Sequence, residues 1–277
     1  MTLSKTRAWF FPFDLFGSSG TSAGAQLLAD ALREMLADNR SEQQPTRARV
    51  YQNQVTVREV PFDTLDAYQD WRKTARKIIR RVFREEEFLL WVSGNHLGTL
   101  PVFDELARLN NETLVIQFDA HLDVYNLSDT TEELSHGNFL MHCDGKLPPM
   151  IHLGNRELVL SSNHAKNYFR TVISAEEIHL QPEKVCQRLR QLTRKAANVF
   201  LDVDCDVFDP TYFPALAHPQ PFGLSSQQML RLLDAVWSDR IIGISLSEFD
   251  SARDVDDRSL SLLVWLMEYL LLKRYEK

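Results

Sequence analysis

Short apolar runs alternate with stretches of helical periodicity from one end of the chain to the other. The runs at 8–13, 48–57, 88–92, 113–118, 150–153, 177–180, 198–203 and 241–247 predict eight strands. Several, such as Phe88-Leu89-Leu90-Trp91-Val92, are continuously apolar, the pattern of strands covered on both faces. Between them, helices are predicted over 23–38, 64–86, 102–110, 182–196, 226–237 and 257–275. Ser225-Ser226-Gln227-Gln228 reads as a capping box opening one of these helices. Repeated strand–helix alternation predicts an α/β fold with a mostly parallel sheet and helices on both faces. No shift in composition marks a linker and no internal repeat is found, so residues 1–277 read as one domain.

Composition narrows the classes. In 277 residues, 44% are apolar and 25% charged, which excludes disordered, collagenous and membrane-spanning chains. No 18-residue apolar run exists, so no membrane association is expected. The net charge of −7 argues against a general nucleic-acid binder, which needs a net basic face. Cys143, Cys186 and Cys205 are scattered and form no CxxC pair, which points to a reducing, cytoplasmic compartment. The N-terminal apolar run is short, holds Pro12 and meets Asp14, unlike a signal peptide. Arg72, Lys73, Arg76, Lys77, Arg80, Arg81 and Arg84 crowd one predicted helix. They read as a solvated face over Trp71, Ile78, Ile79, Val82 and Phe83, with Glu85, Glu86 and Glu87 as counter-charge, in preference to an anion site.

Candidate chemistry gathers where strands end. Ser93-Gly94-Asn95-His96 follows the third strand and Asp119-Ala120-His121-Leu122-Asp123 the fourth. Asp202-Val203-Asp204-Cys205-Asp206 closes the seventh, with Asp209-Pro210 behind it, and Glu248 follows the eighth. Ligands of open α/β sheets bind outside the carboxyl ends of the strands, so the four clusters are expected to converge. In extended chain, Asp119, His121 and Asp123 would share one side, and Asp204 and Asp206 have the same spacing. So many carboxylates cannot stay charged together without a cation. Oxygen-rich ligation with few imidazoles and no thiolate suits Mn²⁺ better than structural Zn²⁺.

These residues resemble the arginase/agmatinase (ureohydrolase) family. Asp119-Ala120-His121-Leu122-Asp123 is similar to its DAHxD motif, and 199–210, ending Asp202-Val203-Asp204-Cys205-Asp206-Val207-Phe208-Asp209-Pro210, to its DxDxxDP strand. Ser135-His136-Gly137-Asn138-Phe139 resembles the HGTPF loop of the agmatinase branch. Gly94-Asn95-His96 stands at GDH and Glu248 at the glutamate of EVNP, while Pro12-Phe13-Asp14 and Gly154-Asn155-Arg156 fit the family's order.

The resemblance implies a three-layer α/β/α fold with an eight-stranded parallel sheet and two Mn²⁺ ions per chain. His96, Asp119, Asp123 and Asp204 would hold one ion. Asp119, His121, Asp204 and Asp206 would hold the other, with Asp119 and Asp204 bridging. Counting back from Asp209-Pro210 selects Asp204 and Asp206 as the ligand pair and leaves Asp202 behind them. Such an ion pair acidifies a bridging water for attack on an amidine or guanidinium carbon. Glu248 would then hold the cationic group of a small guanidino or amidino substrate, and His136 would pass a proton to the leaving amine. Relatives are commonly trimers or hexamers, so a homo-oligomer stays open.

Departures concentrate in loops expected to face substrate. Asn95 replaces an aspartate, Asn138 a threonine, 212–219 lacks TGTP, and Glu248-Phe249-Asp250 stands where EVNP is expected. The loop 124–127 does not reproduce the polar arginase loop, which disfavours free arginine. His142, His152, His164, His179 and His218 carry no motif and read as surface or satisfied core histidines, and Cys205 as core. Glu157 is either a surface residue or a contact to a substrate amine. The alternatives are a deacetylase-like amide hydrolase of similar fold with one zinc, and a metal-bound scaffold without turnover. Six acidic and imidazole ligands speak against the first, and the presence of His136 and Glu248 against the second.

Overall fold

A computed structural model describes residues 4–109, 113–128 and 130–276. Eight strands form one sheet: β1 Thr6–Phe11, β2 Val55–Glu59, β3 Phe88–Ser93, β4 Thr113–Phe118, β5 Met150–Asn155, β6 Thr171–Ser174, β7 Asn198–Asp204 and β8 Ile241–Ser247. Their order is β2-β1-β3-β8-β7-β4-β5-β6 and every pairing is parallel. The helices are α1 Thr21–Ser41, α2 Leu65–Gln69, α3 Trp71–Arg84, α4 Leu100–Leu106, α5 Ser162–Ala165, α6 Ala175–Leu180, α7 Pro182–Thr193, α8 Ser226–Val236 and α9 Arg258–Tyr275.

Strand alternation divides the apolar residues between two cores, one on each face. Phe10, Leu90, Ile116 and Leu201 pack with α1, α7, α8 and α9, and their neighbours Phe11, Trp91, Val115 and Phe200 pack with α3 and α4. The expected three layers follow from that parity. The chain builds outward from β1 to β2, crosses to β3, jumps to β4, and runs out through β5 and β6. It then returns to insert β7 and β8 between β4 and β3. The four strands whose ends carry candidate chemistry are therefore adjacent at the centre of the sheet.

Local chemistry corrects several sequence expectations. Residues 177–180 are helical: Ser174 caps α6 by accepting from Glu177 N at 3.1 Å, and the strand is the β-branched run Thr171–Ser174 before it. Only the end of 48–57 is strand, because Arg47–Val50 forms a 3-10 turn. The stretch 64–86 divides at Asp70 into α2 and α3. The expected helix over 102–110 ends at Leu106, and Asn110 lies outside the described residues. The capping box at Ser225 and Gln228 forms as read.

The basic face of α3 is not simply solvated. Arg72 pairs with Asp104 through two 2.7 Å bonds, and Arg76 and Arg80 reach Glu105 at 3.0 and 2.8 Å. Asp104 and Glu105 are buried on α4, so their desolvated carboxylates draw the guanidinium groups inward. Of the expected counter-charges, Glu85 pairs with Arg81, whereas Glu87 binds Arg7 instead. Asp104→Ala strands the bidentate Arg72 against α4, and a loss of about 3–5 kcal/mol is expected in denaturant unfolding. A loss below about 1 kcal/mol, the worth of an exposed pair, would contradict this.

One glycine sets the position of the site directly. A Cβ on Gly24 of α1 would lie 1.9 Å from the Phe249 carbonyl oxygen. Only a residue without a side chain lets α1 rest on the backbone immediately after Glu248.

Candidate metal centre

His96 opens a 3-10 turn after β3, and its backbone N–H donates to Glu248 Oε1 at 2.8 Å. Its Nδ1 has carboxylate oxygens of Asp123, Asp204 and Asp119 at 2.8, 3.0 and 3.3 Å. Despite that crowding, His96 Nδ1 and Asp119 Oδ2 are buried and make no hydrogen bond. On the other side of Asp119, His121 Nδ1 lies 2.7 Å from Asp206 Oδ2 and 3.9 Å from Asp119 Oδ1.

Two groups of side chains thus present ligand atoms to a common point: His96, Asp119, Asp123 and Asp204, and Asp119, His121 and Asp206. Buried ligand atoms without hydrogen-bond partners, crowded among carboxylates, are stabilised by a cation, so the donor set fits metal. Asp119 belongs to both groups. Asp204 belongs to the first, and its Oδ1 accepts the Asp206 N–H at 2.9 Å.

The convergence does not come from an extended DxHxD segment. The strand ends at Phe118, and Asp123 has a left-handed φ of 51°. That turn aims Asp123 towards His96 while His121 faces Asp206. Asp206 sits in a 3-10 turn after β7, where its Oδ1 also accepts from Ala120 N at 3.0 Å. Cys205 between the two acids is buried among apolar side chains.

Electrostatics reflect the crowding. Burial and the like charges of Asp123 and Asp206 hold Asp119 well above the carboxylate range, and burial with Asp206 does the same for Asp204. Burial would lower both imidazoles, but Asp202 and Asp204 raise His96 well above its usual value. Asp206, with Asp119 and Asp123, carries His121 up to about 10.

Asp202 lies behind this layer. It meets His96 Nε2 at 2.9 Å, and Ser245 Oγ and Gln117 Nε2 donate to it at 2.5 and 3.2 Å. It therefore fixes the ring whose Nδ1 faces the cluster.

A cavity of about 540 Å³ opens over the cluster, lined also by His136, His218, Tyr125, Gln220 and Glu248. Among the described residues, no Lys or Arg lines it. Glu248 is buried and has a φ of 65°, a conformation rare for a residue with a side chain. Its Oε1 lies 3.8 Å from His136 Nδ1 and raises that imidazole above its usual range. His218 lies beside His136, with ring centroids 5.7 Å apart and ring planes inclined by 41°, and it lines the cavity, so it is not merely a surface histidine. Glu157 lines an adjoining cleft with Tyr125 and Gln220. Of the remaining histidines, His152 is wholly buried and bonds the His121 carbonyl at 2.5 Å. His164 bonds the Val124 carbonyl at 2.7 Å.

Sequence reasoning missed two contacts. Gln220 places its amide 2.7 Å from His121 Nε2. The Arg156 guanidinium donates to the carbonyls of Asp206, Val207, Phe208 and Gln220. Neither has a spacing signal, because both act across loops distant in sequence.

A central cluster of acids and imidazoles on an all-parallel eight-stranded sheet defines an α/β protein with a buried His/Asp group able to hold metal at the strand ends. The arginase family model matches residues 8–273, and the chain belongs to that family. An agmatinase of Neisseria gonorrhoeae is 28% identical over 172 residues, 61% of this chain and 53% of that protein. An agmatinase of Blochmanniella floridana is 27% identical over 65% of this chain and 58% of that protein. The chain thus matches little more than half the length of these curated relatives. Among solved structures, arginase from Bacillus subtilis superposes with a TM-score of 0.78 at 21% identity, covering 97% of this chain and 98% of that one. Formimidoylglutamase from Bacillus subtilis gives 0.80 at 18% identity, covering 100% and 88%. At such identities the likeness is one of fold. Among the described residues, no helix is long and apolar enough to cross a membrane.

Proposed function

We propose that this chain is a binuclear manganese hydrolase that cleaves a C–N bond of a small linear guanidino or amidino compound. The observation that carries the reading is the pair of buried ligand groups sharing Asp119 beneath a cavity that holds Glu248 and His136. His96, Asp119, Asp123 and Asp204 would hold one ion, and Asp119, His121, Asp204 and Asp206 the other. When bound, the ions supply Lewis acidity and a water acidified towards neutral pH.

The remaining work falls to side chains. Glu248 is anchored by the His96 N–H through one oxygen, and its carboxylate attracts a cationic amidino or guanidino group. His136, whose imidazole Glu248 holds above its usual range, is placed to give a proton to the leaving amine. Agmatine-like compounds are favoured over free arginine because the loop 124–127 does not reproduce the polar arginase loop and Ser135-His136-Gly137 resembles the agmatinase branch. The agmatinase relatives support the same choice. Metal content tests the reading: two Mn per chain is expected after loading and dialysis. One bound Zn would support a deacetylase-like amide hydrolase instead.

Two outcomes follow from the geometry. Asp202→Ser is expected to keep both ions, since Asp202 contacts His96 on the side away from the cluster. Asp206→Ala is expected to weaken one ion, and the reverse pattern in a manganese titration would show that the ligand pair is Asp202 and Asp204. The second outcome concerns pH. Metal-free His121, raised to about 10, carries a proton at pH 7 and must lose it to ligate. Affinity should therefore rise with pH between 7 and 9, about tenfold per unit for each proton released. Calorimetry in buffers of differing ionisation heat would detect that proton, and an affinity flat across this range would refute its release.

A further inference from the structure

Gln220 directly follows the segment 212–219, which lacks the family's TGTP, and its amide nitrogen is placed 2.7 Å from Nε2 of His121. His121 Nδ1 is the atom that faces Asp119 and Asp206. An imidazole that gives its Nδ1 lone pair to a cation must carry its proton on Nε2. The group facing Nε2 must then accept. A side-chain amide presents oxygen or nitrogen from the same place after a half-turn, so Gln220 Oε1 meets that need without moving the backbone.

The loop is held for this contact at both ends. The Gln220 carbonyl accepts from Arg156 at 3.3 Å. The same guanidinium donates to the carbonyls of Val207 and Phe208 at 3.2 and 3.3 Å, on the turn that carries Asp206. At the far end, Gly223 N donates to Asp209 Oδ2 at 3.0 Å. The amide and the ligand turn are therefore braced against one another by a single half-buried guanidinium, that of Arg156.

We propose that Gln220 is a positioning residue for the second metal position: its amide oxygen accepts the His121 Nε2 proton and thereby ties the cavity loop to the ion held by Asp119, His121 and Asp206. The inference rests on the manganese reading above. It makes the loop's conformation and the retention of one ion a single linked property.

The test is manganese titration, by calorimetry with electron paramagnetic resonance of the free ion, of the intact chain and of Gln220→Ala, Gln220→Glu and Gln220→Lys. Gln220→Ala should weaken one of the two ions by about 10- to 100-fold and leave the other unchanged. Glutamate can only accept from the imidazole N–H and should restore binding close to that of the parent. Lysine can only donate and should bind no better than alanine. The metal-free variants should melt with the parent, since the loop stays pinned by Arg156 and Asp209. If Gln220→Ala holds both ions normally, or Gln220→Lys binds as well as Gln220→Glu, the inference fails while the two-ion reading stands. If the parent chain itself takes up fewer than two ions, the underlying reading fails.

Discussion

Asp119→Ala should leave a folded protein that retains neither ion and has no measurable turnover. Among the described residues Asp119 is common to both clustered groups, it is wholly buried, and with Asp204 it is assigned to both ions. Its removal takes an oxygen ligand from each position at once. It also removes one charge from a cluster in which Asp119 and Asp204 are already raised by burial and like-charge repulsion. Metal-free, the variant should therefore be no less stable than the metal-free parent, because relief of repulsion opposes the cavity cost. The metal-loaded parent, by contrast, gains stability by mass action, about 4 kcal/mol at a thousandfold excess over Kd. Thermal melts with and without manganese would show a large upward shift for the parent and none for the variant. Normal metal content in Asp119→Ala would remove the basis of the shared-ligand assignment.

Glu248→Gln should abolish turnover while both ions stay bound. The carboxylate is not among the clustered ligand groups. Its Oε1 accepts the His96 N–H, a bond the amide oxygen of glutamine can keep, so the fold around the site is expected to persist. What glutamine cannot supply is the negative charge for a cationic substrate group and for protonated His136. A buried charge pair broken on one side costs about 4 kcal/mol, which corresponds to about a thousandfold in kcat/KM. The pH profile should change as well, because the nearby Glu248 carboxylate raises the His136 imidazole. Without it, the fraction of protonated His136 falls at neutral pH, and the alkaline limb should move to lower pH. Turnover within tenfold of the parent would exclude Glu248 from substrate binding.

The architecture was legible because central parallel strands are written as unbroken apolar runs. Phe88–Ser93 and Thr113–Phe118 are buried throughout, and no amphipathic helix has that pattern. The edges were less legible. Thr171–Ser174 is only four residues long, and the alternating polar and apolar residues of Glu177-Ile178-His179-Leu180 just after it mimic a strand that a serine cap turns into helix. The six candidate ligands were legible because strand ends of one sheet edge must meet. How they meet was not, since it depends on the left-handed turn at Asp123 and the 3-10 turn at Asp206. The residues that hold ligands from behind were the hardest. Asp202 could be placed by its distance from Asp209-Pro210. Gln220 and Arg156 touch the cluster only through tertiary loop packing, which no local spacing encodes.

Turnover decides whether the buried cluster is catalytic. Manganese-loaded protein should be offered a panel of small guanidino and amidino compounds, with release of urea, ammonia or formamide followed against metal-free protein as control. Manganese-dependent product is expected from at least one linear, carboxylate-free member, and none from Glu248→Gln. No product from any member, with two ions bound per chain, would contradict the hydrolase reading.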